Sequence, residues 1–289
     1  MRLYPTHQNK KNMLGAIIGD TVGSVYEFNN IKTTDFQLFG PRNNYTDDSV
    51  MTMAVASWLL DDPHHGIDGL EKALTGFAKQ YPCPMGGYGG MFYKWLFIPK
   101  SLGQSGKRVP YNSWGNGAAM RCSACGWMFE TLEETERVAG LSAAITHNHP
   151  EGIKGAQSTA AAIFMARNGN SKEEIRSYIS TKYGYNLDRT CDEIRPAYDW
   201  DSSCQGTVPE AMVAFMDSTD FESAIRLAVS LGGDSDTLAC ITGGIAEAYY
   251  DDIPDDIAMK IWGLLPHDFK AILKTMEART GYRLPRILK

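Results

Sequence analysis

Apolar residues recur at three- and four-residue spacing along almost the whole chain, the periodicity of helices that bury one face. Leu70, Ala73, Leu74, Phe77 and Ala78 form one such stripe, and Val138, Leu141, Ala144 and Ile145 another. Start signals fall where the stripes begin. Ser171 with Glu174 and Thr219 with Glu222 read as capping boxes, and Pro209, Pro254 and Pro266 suit first turns. Stop signals fall between them, at Asn168-Gly169-Asn170 and Gly232-Gly233. No alternating strand with a hairpin turn stands out, and the best extended candidate, Ile31 to Phe39, is short and centred on Thr33-Thr34-Asp35. The expectation is an all-α bundle of ten or more helices. Gly155 to Ala166 and Thr237 to Ala248 are rich in Gly and Ala, can pack backbone to backbone, and belong in its middle.

A chain of 289 residues with 43% hydrophobic content can bury one large core or two smaller ones. No repeat, low-complexity tract or polar linker divides it, so residues 13–289 read as one domain. Residues 1–12 are polar and read as an N-terminal extension, with Met13 as an alternative start. The Gly-rich, aromatic stretch Tyr81 to Trp114 reads as a functional loop. The net charge of −6, with Lys and Arg scattered, disfavours general binding to nucleic acid backbone. Met13 to Ile18 is cut short by Asp20, too brief for a secretory segment, and no run approaches the roughly 20 apolar residues of a membrane span. A cytoplasmic monomer is expected. The six cysteines are expected as buried free thiols. Cys122 and Cys125 have CxxC spacing, but no second pair completes a zinc site and no strand precedes them.

Two acidic clusters stand at helix starts. In Tyr45-Thr46-Asp47-Asp48-Ser49 the pattern that follows (Val50, Met53, Ala54, Ser57, Trp58) puts the acids in a first turn. One acid there is ordinary capping; two after a Thr are more than a cap needs. In Gly232-Gly233-Asp234-Ser235-Asp236-Thr237 the glycines allow a tight turn and the acids stand at the mouth of the next helix. Carboxylate and hydroxyl oxygens from two facing helix starts suit hard divalent cations. Gly15, Gly19 and Gly23 are four apart and read as a close helix crossing, while Glu27, beyond the apolar end of that helix, can reach a shared metal site from a loop.

Taken in order, GAIIGDTVGSVYEF, YTDDSV, SWGNGAAMR, THNHPEG and GGDSDTLACITGGIAEA resemble the ADP-ribosylglycohydrolase family from Met13 to about Tyr250. The resemblance implies a compact orthogonal multi-helix bundle holding two divalent cations, Mg²⁺ or alternatively Mn²⁺. It implies metal ligation by Thr46, Asp47, Asp48, Asp234, Asp236 and Thr237, with Asp236 bridging both ions and Glu27 beside them. Ser49 stands where Thr is common in the family, a change not expected to affect ligation. Ser113, Trp114, Gly115, Asn116 and Gly117 match the loop that cradles the pyrophosphate and distal ribose, where glycine lets backbone N–H groups approach phosphate. Gly86-Gly87-Tyr88-Gly89 reads either as a second substrate loop, through Gly87 and Gly89, or as a plain turn. His147 matches a histidine that contacts ADP-ribose; His149 is equally readable as hydrogen-bonding the carbonyls of a helix end.

The reaction so implied is hydrolysis of the bond between C1 of the distal ribose and an acceptor on a modified protein, such as arginine, or on a small molecule. It passes through an oxocarbenium-like state. Asp48 or Asp234 is the expected general base before Glu27. Two other readings stand beside it: a non-catalytic, crystallin-like member that keeps its metal site as structure, and a metal-dependent nucleotide phosphoesterase.

Overall fold

The computed structural model describes residues 13–98 and 108–288. The candidate extension at residues 1–12 lies outside them. Over that range the chain runs through α1 (Leu14–Gly23), α2 (Asp47–Asp61), α3 (Ile67–Gln80), α4 (Gly90–Phe97), α5 (Gly117–Met120), α6 (Ser123–Met128), α7 (Leu132–Ala144), α8 (Pro150–Arg167), α9 (Lys172–Tyr183), α10 (Cys191–Ile194), α11 (Cys204–Asp217), α12 (Phe221–Ser230), α13 (Ser235–Tyr250), α14 (Asp255–Leu264) and α15 (His267–Thr280). Among the described residues no strand exceeds an isolated bridge, and the all-α expectation holds. No helix there is long and apolar enough to cross a membrane.

Two helices form the centre. Every residue of α1 is buried, and so is every residue of α13 from Ser235 to Ala248, as sequences apolar on all faces require. Among the described residues they make the most extensive contact between two helices. A Cβ at Gly15 would strike the Gly243 carbonyl, one at Gly19 the Ala239 carbonyl, and one at Gly23 the Ser235 carbonyl. The three glycines therefore do what their spacing predicts, bringing two backbones into direct contact. Glu247 of α13 accepts a hydrogen bond from the Gly15 N–H at 2.7 Å, capping α1 from another helix. Around this pair lie α12, α11 and α8, with α7 covering α8; α2 touches both helices of the pair and is backed by α3, α6 and α15.

Several local expectations change. Ser171 and Glu174 form their capping box, but α12 is capped by Asp220 with Ser223, one residue later than the Thr219–Glu222 pair suggests. Pro209 lies inside α11 because Ser203, whose side chain accepts from the Gly206 N–H, starts that helix more than a turn earlier. Pro254 and Pro266 occupy N-cap positions. The Tyr81–Trp114 stretch contains α4, and Ile31–Phe39 is irregular, held where Arg226 donates to the Thr34 and Phe36 carbonyls. Cys122 and Cys125 are buried free thiols, as are Cys191, Cys204 and Cys240; Cys83 is exposed.

Alanine at a helical glycine ordinarily stabilises by about 0.5–1 kcal/mol, and Gly76→Ala, on the open face of α3 with nothing within 4 Å, is expected to do so. Gly19→Ala is expected to lose roughly 1–3 kcal/mol through overpacking instead. Denaturant midpoints of both variants check the pair, and equal gains would rule out the close α1–α13 contact.

Candidate active site

Asp20, in the middle of α1, organises the start of α2. Its carboxylate accepts from the Thr46 N–H at 3.0 Å, the Thr46 hydroxyl at 2.7 Å, the Ser49 N–H at 3.1 Å and, in a short bond, the Ser49 hydroxyl. Four donors hold a wholly buried carboxyl whose pKa burial pushes up to about 6. Thr46 is the N-cap of α2, its oxygen accepting from the Asp48 N–H. Ser49 thus matters to the site as a donor to Asp20. Asp20 is a site residue that the motifs alone do not single out; its signal is a lone acid inside an otherwise apolar, Gly-spaced helix.

α13 brings the second cluster. Gly232 and Gly233 both have positive φ, 76° and 67°, the left-handed turn that only glycine adopts freely. The Asn30 side chain donates to the Gly233 and Glu27 carbonyls and accepts from the Gly233 N–H. It thereby fastens the turn carrying Glu27 to the turn that opens α13. Asp234 accepts from Asn116 Nδ2 at 2.7 Å, and Asn116 also donates to Thr207 at 3.1 Å. Asn116, read from sequence as part of a substrate loop, therefore also holds one of the clustered acids.

The acids meet in a cleft of about 380 Å³. Carboxylate oxygens of Glu27, Asp234 and Asp236 lie within 4.8 Å of one another. Burial, then the charges of Asp20, Asp47 and Asp234, holds Asp48 well above the usual carboxylate range. Burial, then Asp48, Asp234 and Glu27, does the same to Asp236; burial, then Asp20, Asp234 and Glu27, does it to Asp47. Glu27 is pushed up to about 8 by burial, Asp234 and Asp20. Asp20, Asp47, Asp48, Asp234 and Glu27 each raise at least one of their neighbours, and Asp48 Oδ1 is buried with no hydrogen-bond partner among the described residues. A dense set of oxygen donors that are costly to ionise together, one with an orphaned lone pair, is what hard divalent cations complete. The residues present fit such ions.

Glu27, Asp47, Asp48, Gly87, Gly89, Ser113, Gly115, Asn116, Gly117, His147, Asp234, Asp236 and Thr237 all line this cleft. Two of the sequence candidates do not. Thr46 lies beneath the surface, between Asp20 and Asp48, and the Trp114 ring is half exposed, edge-on to His149. His149 caps the N-terminus of α8, accepting from the Glu151 N–H, so it serves the start of the next helix rather than the end of the last. The 113–117 loop is tied to the segment before α11 by bonds from Asn116 N–H to the Ser202 carbonyl and from Cys204 N–H to the Trp114 carbonyl, both 2.8 Å. Gly86 and Gly87 adopt positive φ, and a Cβ at Gly86 would lie 2.7 Å from Glu27 Oε2. Cleft residues that sequence reasoning missed include Tyr111, Arg121 and a stacked rim pair, Phe28 and Trp200, with ring centroids 5.6 Å apart.

With the site in view, the chain can be compared with known proteins. A sequence model described as ADP-ribosylglycohydrolase matches residues 10–278. The ADP-ribosylhydrolase ARH3 of Homo sapiens is 27% identical over 314 residues, covering 84% of this chain and 86% of that one. The ADP-ribosylarginine hydrolase Tri1 of Pseudomonas putida (strain GB-1) is 26% identical over 264 residues, covering 83% and 70%. A solved structure of an ADP-ribosylglycohydrolase-related protein complex shares the fold, with a TM-score of 0.71 at 21% identity and coverage of 93% and 96%.

A carboxyl whose pKa is raised by folding binds more protons folded than unfolded, so its contribution to stability is present at low pH and lost as pH rises through the folded value. For the metal-free protein that window runs from the ordinary 3.8 of Asp and 4.5 of Glu up to about 6 for Asp20 and about 8 for Glu27. Its melting temperature should therefore fall from pH 5 to pH 8. Added Mg²⁺ should raise it, more at pH 8 than at pH 5, where protons compete. Calorimetry in chelator and in Mg²⁺ checks this, and a pH-independent melt unmoved by Mg²⁺ would count against the site.

Proposed function

The chain belongs to the ADP-ribosylglycohydrolase family, and from that premise we propose that it is a metal-dependent hydrolase releasing ADP-ribose from an acceptor, an arginine side chain of a modified protein foremost. The observation that carries this reading is the meeting of two acidic helix starts and Glu27 in one cleft that the glycine-rich 113–117 loop also lines. Similarity to a protein named as an ADP-ribosylarginine hydrolase supports the arginine linkage.

Asp47, Asp48, Asp234, Asp236 and Thr237, with Thr46 behind them, would hold two divalent cations, Mg²⁺ foremost. Bound there, such ions supply Lewis acidity toward ribose hydroxyls and a lowered pKa for water. The chain's own residues do the rest. Gly115 and Gly117 leave room for backbone to approach a diphosphate, and Ser113 accepts from the Gly115 N–H, shaping that loop. Asn116 fixes the Asp234 carboxylate. Asp48 is engaged with Thr46 and Thr237, and Asp234 with Asn116 and Asp236. Glu27 makes no side-chain hydrogen bond among the described residues and sits at the cleft, half-buried. We therefore place Glu27 ahead of Asp48 and Asp234 as the group that takes the proton from the attacking water, reversing the order in which the sequence suggests them. With every expected acid present at the cleft, a non-catalytic member that keeps the site only as structure is the weaker alternative.

Arginine-linked and serine-linked ADP-ribosyl peptides, assayed with and without Mg²⁺, test this reading. Expected are Mg²⁺-dependent release of free ADP-ribose, its loss in Asp236→Ala, and a roughly 10²–10⁴-fold lower kcat in Glu27→Gln with ADP-ribose affinity little changed. AMP as product would point to phosphoester cleavage instead, and no binding of ADP-ribose would overturn the reading.

A further inference from the structure

Beneath the cleft wall lies a buried polar chain that the proposed reaction does not by itself use. Arg121, at the end of α5, is 1% exposed although it carries a full charge. One of its terminal nitrogens donates to the Ser142 carbonyl at 2.7 Å and to the Thr146 hydroxyl oxygen at 2.8 Å, and its guanidinium lies 5.6 Å from the Phe92 ring centre. Thr146, fully buried, stands 2.7 Å from Nδ1 of His147. His147, 4% exposed, turns its other ring nitrogen toward the glycine loop: a Cβ at Gly117 or Gly115 would lie 3.3 or 3.4 Å from Nε2.

The direction of these bonds follows from the chemistry of the donors. A guanidinium only donates, so Thr146 Oγ1 must accept from it. The same cation turns the hydroxyl dipole, oxygen toward the charge and hydrogen away. The Thr146 hydrogen then goes to His147 Nδ1, which must present a lone pair, and the ring proton resides on Nε2. Burial, and then the Arg121 charge, holds the imidazole well below its ordinary pKa, consistent with a neutral ring. A ring with its N–H turned toward Arg121 would set like-signed ends against each other across one oxygen.

We propose that Arg121 and Thr146 are positioning residues that lock His147 in its Nε2–H tautomer, so that it presents a fixed donor at Gly115–Gly117 to an oxygen of the bound nucleotide. This rests on the reading of the cleft as an ADP-ribose site. The lock makes His147 a selector of acceptors: it favours a phosphate or ribose oxygen there and disfavours a ligand offering an N–H. It also leaves His147 unable to act as a general base from Nε2, so the proton of the attacking water must go to a carboxylate.

Nitrogen-15 NMR of the histidine side chains in the full-length, Mg²⁺-loaded protein reads the tautomer without any ligand or turnover, with His147→Gln used to assign the signals. Expected is a protonated, pyrrole-type Nε2 and an unprotonated, pyridine-type Nδ1, persisting through neutral pH. Thr146→Val, close in shape but without the hydroxyl, should release the preference and weaken ADP-ribose binding about tenfold, the worth of one hydrogen bond; Thr146→Ser should restore both. A proton on Nδ1 in the wild-type protein, or a Thr146→Val protein with unchanged tautomer and affinity, overturns the proposal. Failure of the wild-type protein to bind ADP-ribose would overturn the reading of the cleft, a result separable from the tautomer itself.

Discussion

The contact of α1 with α13, backbone against backbone, is the constraint on which the rest of the structure depends. Any side chain at Gly15, Gly19 or Gly23 would push the two helices apart. Because they touch, Asp20 on α1 and the acids at the head of α13 come within a few residues of the same point. Asp20 then reaches sideways to gather the N-terminus of α2 by four hydrogen bonds. Helix N-termini carry unsatisfied N–H groups and a partial positive charge, so a buried carboxylate is a natural partner for one. That partnership is what turns a helix-packing device into a device for placing Asp47 and Asp48.

Electrostatically the site is built against itself. Asp47, Asp48, Asp234 and Glu27 each raise the pKa of at least one other acid of the cluster, which includes Asp236, and burial raises all five. Such a cluster costs folding energy wherever its members ionise without counter-charge. The surrounding packing must therefore supply stability that the cluster takes away, and the densely buried α1–α13 core is where it is available. Divalent cations bound there would relieve the same repulsion and so tie the stability of the fold to the occupancy of the cluster.

The 113–117 loop, joined to the acids through Asn116 and Asp234, answers to a different requirement, an approach by backbone and neutral donors rather than by charge. The 113–117 loop is pinned to the segment before α11, and His147 behind it is buried over Arg121. Arg121 does not enter the cleft as a free cation; its terminal nitrogen is committed to Ser142 and Thr146. Its charge therefore acts on a ligand through the orientation of neighbouring dipoles. The carboxylates of the cleft suit cations, while the 113–117 loop and His147 line it with backbone and neutral side chains.

Local sequence was enough to determine the all-α class, the close-packing role of Gly15, Gly19 and Gly23, and the two acidic helix starts, because each is written within a few consecutive residues and repeats at helical spacing. It misjudged boundaries where two signals compete: Asp220 outcompetes Thr219 as a cap, and Ser203 starts α11 ahead of Pro209. Only the tertiary structure decided which acids face one another, that Asp20 serves α2, that Asn30 and Asn116 hold Glu27 and Asp234 in place, and that Trp114 turns outward while His147 turns in. These are contacts between residues tens to hundreds of positions apart. Helical periodicity says which face of each helix is buried, but which partner meets that face is set by the packing of all the helices together.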